Sequence, residues 1–114
     1  MTRRGVAIIT LHPSVSCVIY KMARSRAYVF TINNWEETHE QKIALCGAQY
    51  TVYGKEVGES GTPHLQGYMY FESARSLKSM IKKLPGAHVE VRQGTHEQAR
   101  DYCKKDGDFV EFRL

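Results

Sequence analysis

From residue 26 onward the chain switches between two hydrophobic periodicities, and the switches predict its elements. Ala27-Tyr28-Val29-Phe30-Thr31-Ile32 is rich in β-branched and aromatic residues, which predicts a strand. Asn34, followed three residues later by Glu37, predicts the N-cap of a helix over 35–46. Residues 49–57, with Tyr50, Val52 and Tyr53 as apolar content, predict a second strand. The segment from Gly58 to Pro63 carries two glycines and a proline in six residues, so it turns the chain back into a third strand at 64–71. Leu77, Met80, Ile81 and Leu84 fall at i, i+3, i+4 and i+7, the apolar stripe of a helix that Pro85-Gly86 ends. Residues 88–92 alternate as a fourth strand. Thr95 and Gln98 make a capping box for a helix over 96–105, and after Asp106-Gly107-Asp108 residues 109–112 predict a last strand.

The order is β-α-β-β-α-β-α-β. Its leading elements match the split βαβ, ferredoxin-like arrangement, an α+β fold in which an antiparallel sheet carries flanking helices. That fold hosts many activities, so function has to be read from particular residues.

With 114 residues and 42% hydrophobic content, the chain suits one small domain with one core. The first 23 residues differ from the rest: Arg3 and Arg4 precede a short apolar run, Val6-Ala7-Ile8-Ile9, which His12-Pro13 interrupts. The run is too short for a signal peptide and far too short to cross a membrane. Met22, followed by Ala23-Arg24-Ser25-Arg26, reads as the true start, so residues 1–23 are expected to be a flexible extension ahead of one domain over 24–114. Cys17, Cys46 and Cys103 are odd in number and widely spaced, which argues against a disulfide framework or a structural zinc site and favours a reducing compartment. The net charge of +4 suits a phosphate-bearing partner without identifying one.

Two constellations carry chemistry. His64 and Gln66 are two apart, so on a strand both side chains leave the same face. Glu56, across the turn on the preceding strand, joins that face if the register has even parity. Two oxygens and one imidazole favour a hard divalent cation, Mg²⁺ or Mn²⁺, with the remaining positions open to water and phosphate oxygens. The bland alternative is a hydrogen-bonded structural histidine beside solvated Glu and Gln. Tyr102 and Lys105 share one face of the last helix, with Asp106 one turn from Tyr102. A phenol with a pKa of about 10 is a weak nucleophile, but a cation on the phosphate and a lysine beside it would lower the barrier to a phosphotyrosine. Tyr28, Tyr50, Tyr53, Tyr68 and Tyr70 are expected to be core aromatics. His12, His39, His88 and His96 are expected to be structural or surface residues. Arg24, Arg26, Lys78, Lys82, Lys83 and Arg92 are candidates to hold phosphates.

Phe30-Thr31-Ile32-Asn33-Asn34, Pro63-His64-Leu65-Gln66-Gly67-Tyr68 and Tyr102-Cys103-Lys104-Lys105-Asp106-Gly107 stand in fixed order. Together they resemble the three rolling-circle motifs of the replication initiators of small circular single-stranded DNA viruses, the circovirus and nanovirus type within the HUH endonucleases. The likeness covers about residues 26 to 112. It implies the HUH endonuclease fold and origin recognition involving Thr31, Asn33 and Asn34, with Arg24 and Arg26 just before them as further DNA contacts. It also implies Glu56, His64 and Gln66 as ligands of Mg²⁺ or Mn²⁺, with Asp106 at a position sometimes assigned to the metal. Tyr102 would attack the origin strand and keep its 5′ end, assisted by Lys105. Gln66 replaces the second histidine of the name-giving pattern, as in the circovirus-like branch, and this speaks against a relaxase or a bacterial transposase.

The resemblance further implies a single-stranded DNA stem-loop as partner, no membrane, and the host nucleus as the place of action. Such initiators usually continue into an ATP-driven helicase. The sequence has no G-x-x-x-x-G-K-[ST], so a helicase domain is expected to be missing from this chain. The alternative is a non-catalytic, RRM-like nucleic-acid-binding module whose strand aromatics stack on bases. It accounts for the tyrosines but leaves Glu56, His64, Gln66 and Tyr102 as coincidence.

Overall fold

The computed structural model describes residues 23–114, so the expected extension lies, apart from Ala23, outside the described residues. The elements are β1 (Arg24–Asn33), α1 (Glu37–Ala44), β2 (Tyr50–Val57), β3 (Pro63–Ser76), α2 (Leu77–Lys83), β4 (His88–Val91), α3 (His96–Lys104) and β5 (Phe109–Arg113). The sheet order is β4-β1-β3-β2-β5, and every neighbouring pair is antiparallel. Its first four strands stand in the ferredoxin-like order, and β5 extends the edge beside β2. The expected α+β class holds.

Strand alternation divides the side chains between two faces. Tyr28, Phe30, Ile32, Tyr53, Leu65, Met69 and Phe71 point to one face, where Ile43, Leu77, Met80 and Leu84 from α1 and α2 complete a buried core. Phe30 is accommodated there by Gly67, its cross-strand partner, since a Cβ on Gly67 would lie 2.0 Å from the ring. The other face presents Ala27, Tyr50, Val52 and Tyr68, which pack against Ala99 and Cys103 of α3. Only α3 covers that second face among the described helices, and it leaves the end of the sheet near Asn33, Glu56 and His64 partly open.

Several boundaries differ from expectation for physical reasons. Asn34 is not an N-cap: it adopts a left-handed conformation with φ 54°, and its N–H donates to the Pro63 carbonyl at 2.8 Å. Asparagine tolerates that region better than most residues. The helix begins later, behind Glu36, whose backbone N–H donates to His39 Nδ1 at 2.8 Å, and it ends at Ala44. β3 runs five residues past Phe71, because Arg24 and Ser25 pair with Ser76 and Arg75 beyond a register shift at which β3 carries the extra residues. That polar stretch has no strand signal of its own, and pairing overrides propensity. Ser76 then caps α2, its Oγ accepting from Ser79 N at 3.1 Å. Ile81, expected in the apolar stripe of α2, is exposed, while Leu77, Met80 and Leu84 are buried. The Thr95–Gln98 capping box forms as expected, with bonds of 2.9 and 3.1 Å.

Candidate metal and nucleophile site

The β2–β3 register places Glu56 opposite His64 and Gly54 opposite Gln66. Parity is even, so Glu56, His64 and Gln66 share the face that α3 covers. His64 Nε2 hydrogen-bonds Glu56 Oε1 at 3.0 Å, and the Glu56 side chain is only 9% exposed. The other oxygen of that carboxylate accepts a short bond from the Lys105 ammonium. Among the described residues no trio drawn from His, Cys, Asp and Glu alone converges on a point. The set here instead adds an amide oxygen to one imidazole and one carboxylate, donors that suit a hard divalent cation.

The first motif is tied into this set rather than standing apart from it. Thr31 lies opposite Gln66 on β1, and its hydroxyl donates to Gln66 Oε1 at 3.2 Å. Asn33 lies opposite His64. Thr31 therefore fixes which way the Gln66 oxygen points, the way an outer-shell partner orients a metal ligand. Arg24 and Arg26 sit at the far end of β1, where Arg24 donates to the Ala74 carbonyl and Arg26 Nε to the Phe71 carbonyl, each at 3.0 Å.

Helix α3 brings the phenol to the same face. Gly54 makes this possible: a Cβ there would stand 2.1 Å from the Cys103 carbonyl oxygen, so the helix backbone rests directly on the strand. The Lys105 ammonium lies 4.0 Å from the centroid of the Tyr102 ring while it contacts Glu56, and so bridges donor set and phenol. Burial works against its charge, but the bond to Glu56 and the negative potentials of Glu56, Tyr102 and Asp106 outweigh it. Its pKa is raised and it stays an ammonium. Asp106 sits exposed in the turn after α3, and among the described residues no hydrogen bond joins it to Glu56, His64 or Gln66.

Tyr102 is 39% exposed and lines a cavity of about 100 Å³ together with Val29, Phe30, Thr31, Gln66, His88 and Glu90. Other tyrosines have committed hydroxyls: Tyr28 to the Arg75 carbonyl, Tyr50 to Glu111, Tyr53 to Glu40 and Tyr68 to His96. Burial, reinforced by the Glu111 and Glu40 bonds, pushes the Tyr50 and Tyr53 phenols well above their ordinary range. Burial likewise raises the neighbouring Cys103 thiol to about 12, with the Glu56 charge adding to it, so that thiol stays protonated.

Two residues of this cavity escaped the sequence reading. His88 and Glu90 pair opposite Thr31 and Val29 on β4, and His88 Nε2 makes a short bond to Glu90. The signal was available, since His88 and Glu90 have the same i, i+2 spacing as His64 and Gln66. The lysines of α2, Lys78, Lys82 and Lys83, belong to the helix on the opposite face of the sheet and lie away from the site.

This fold and site define an α+β domain consistent with the HUH endonuclease fold. The Viral_Rep family model, of a viral replication protein, matches residues 25–106, and the chain belongs to that family. It is 38% identical over 88 residues to the replication-associated protein of beak and feather disease virus, covering 75% of this chain and 30% of that protein. It is 40% identical over 84 residues to the master replication protein of banana bunchy top virus, covering 74% and 28%. The replication-associated protein of porcine circovirus 2 is 35% identical over 91 residues, covering 75% and 29%. The matched span is thus under a third of each relative's length.

Proposed function

We propose that this chain is a metal-dependent endonuclease and strand-joining enzyme for single-stranded DNA, acting in rolling-circle replication through a 5′-phosphotyrosine. The observation that carries the reading is the Lys105 ammonium, set between the Glu56 carboxylate and the ring of Tyr102. The family, whose members named above are replication-associated and master replication proteins, supports the same reading.

Glu56, His64 and Gln66 would hold Mg²⁺ or Mn²⁺, and a bound cation would withdraw charge from a phosphoryl oxygen of the scissile phosphate. The chain's own groups do the rest. Thr31 keeps the Gln66 oxygen aimed at the site. Lys105, fixed as an ammonium, offsets charge that builds on the phosphoryl oxygens. Tyr102 Oη forms a bond to phosphorus, the bond from phosphorus to the 3′ oxygen breaks, and the phenolic proton is replaced on that oxygen by way of solvent. The 5′ end stays on the protein, and attack by a 3′ hydroxyl reverses the step and rejoins a strand. Asp106, exposed in the turn after α3, is held as an accessory metal position. Origin recognition through Thr31, Asn33 and Asn34, action in the host nucleus, and ATP-driven unwinding by a segment outside these 114 residues complete the proposal.

The test is to incubate the protein with a labelled single-stranded stem-loop and Mn²⁺, with and without chelator. The expected result is a nicked strand with one fragment attached to protein, lost with chelator and lost in Tyr102→Phe while binding persists. An adduct that survives in Tyr102→Phe moves the nucleophile elsewhere. Retention of uncut oligonucleotide by the unaltered chain leaves a binding module.

A further inference from the structure

The far end of the α3-covered face carries a second set of residues that the chemistry above does not use. Across that end, Ala27 of β1, Tyr70 of β3, Tyr50 of β2 and Arg113 of β5 stand in one row. The Arg26 guanidinium lies over the Tyr70 ring and the Arg113 guanidinium over the Tyr50 ring, each 4.7 Å from the centroid. Arg92 donates from Nη1 to the Tyr68 hydroxyl at 2.8 Å, and its Nε is buried without a partner.

Charge pairing separates these arginines from the cations of β2 and of the α3 helix and its C-cap. Lys55 pairs with Glu40, Arg100 with Asp101, Lys104 with Glu111 and Lys105 with Glu56. Among the described residues, Arg26, Arg92 and Arg113 make no ion pair with a carboxylate. Arg26 and Arg113 are exposed. A guanidinium lying over a tyrosine ring is steadied by the ring's π face, and its planar fork keeps outward N–H groups for a ligand. That combination suits an unpaired base stacking from above and a phosphate at the edge, which a single strand offers and a duplex does not.

We infer that Arg26 and Arg113, on their tyrosine platforms and with Arg92 beside them, form a second binding station for single-stranded DNA. Along β3 it lies four residues from Gln66, roughly 13 Å from the cleavage end, so one strand of a few nucleotides spans both. This rests on the reading that the chain handles single-stranded DNA, and it is independent of the metal and of Tyr102.

The test uses the full 114-residue chain with chelator present, so that no nicking is involved. Binding of an oligothymidine of about 16 nucleotides is measured by fluorescence anisotropy over a range of salt. Arg26→Ala and Arg113→Ala should each weaken binding about tenfold. Each should also flatten the log–log salt slope by about 0.7. The pair Arg26→Lys and Arg113→Lys should keep the slope and still lose affinity, since lysine retains charge without the stacking plane. A duplex of the same length should compete poorly. Wild-type affinity and slope in the alanine variants, at unchanged melting temperature, would overturn the station. Equal competition by duplex would overturn its preference for a single strand. Failure of the chain to nick any strand in Mn²⁺ would strike the catalytic proposal and leave these results standing.

Discussion

Gly54 and Cys103 meet backbone to backbone: the Cys103 carbonyl oxygen lies 2.1 Å from where a Cβ on Gly54 would stand. This contact sets the height of α3 above the sheet, and with it the distance from Tyr102 and Lys105 to Glu56 and Gln66. A carbonyl in a helix cannot swing aside as a side-chain tip can. Gly54→Ala must therefore lift the helix or strain the strand, at a cost of about 1–3 kcal/mol. The expected outcome is a lower melting temperature together with slower nicking at temperatures where the variant is still folded. Gly67→Ala is the matched control, because its added methyl meets the Phe30 ring on the opposite face. It should lose stability but keep its nicking rate well below its melting temperature.

Thr31 offers a test of the donor set that does not remove a donor. Its hydroxyl bonds Gln66 Oε1 at 3.2 Å, so Thr31→Val keeps the shape and frees the amide to rotate. The Mn²⁺ concentration for half-maximal nicking should rise roughly tenfold or more. Affinity for an oligothymidine, which carries no origin sequence for Thr31 to recognise, should stay constant when measured with chelator. If affinity falls and the Mn²⁺ requirement does not move, Thr31 is a DNA contact and not a positioning residue.

The site was legible in the sequence wherever a local period decides the face. The i, i+2 spacing of His64 and Gln66 and the i, i+3 spacing of Tyr102 and Lys105 need only the element type, and both element types were clear from patterning. Glu56 needed the hairpin register as well, and the six-residue turn left parity open until the Glu56–His64 pairing was seen. What could not be read depended on contacts far apart in sequence. Gly54 looks like a weak strand residue until α3 is placed on it. Residues 72–76 look like a loop until Arg24 and Ser25 pair with Ser76 and Arg75. Asn34 carries both N-cap and left-handed character, and the Pro63 carbonyl selects the latter.

Lys105 has two partners, the Glu56 carboxylate and the Tyr102 ring, and its removal should separate binding from chemistry. Lys105→Ala takes away the ammonium that would meet charge on the phosphoryl oxygens. Single-turnover nicking should fall by about a hundredfold, while oligonucleotide affinity changes little. Mn²⁺ dependence should shift less than the rate does. A loss confined to affinity would make Lys105 an ordinary phosphate contact.

His96 makes stability depend on pH near neutrality. The Tyr68 hydroxyl lies 2.7 Å from His96 Nδ1 while its oxygen accepts from Arg92, and a neutral imidazole lets that hydroxyl place its own proton on Nδ1. Burial lowers its pKa, Glu97 opposes this, and Arg92, Arg100 and Arg113 add to the lowering. In the unfolded chain the group titrates at about 6.5. A folded pKa below the unfolded one means the unfolded state binds more protons, so stability is fully present above about 6.5 and is lost as pH falls through the depressed folded value. Glu111, whose carboxyl is held low by Tyr50 and Lys104, follows the same sign in a separate window below about 4.3. Thermal melting should therefore drop between about pH 7 and pH 5 in the wild type. His96→Gln, which keeps an acceptor for Tyr68 but cannot titrate, should show a flatter profile there and an unchanged fall at lower pH. An equal slope in both proteins between those two pH values would place the titrating group elsewhere.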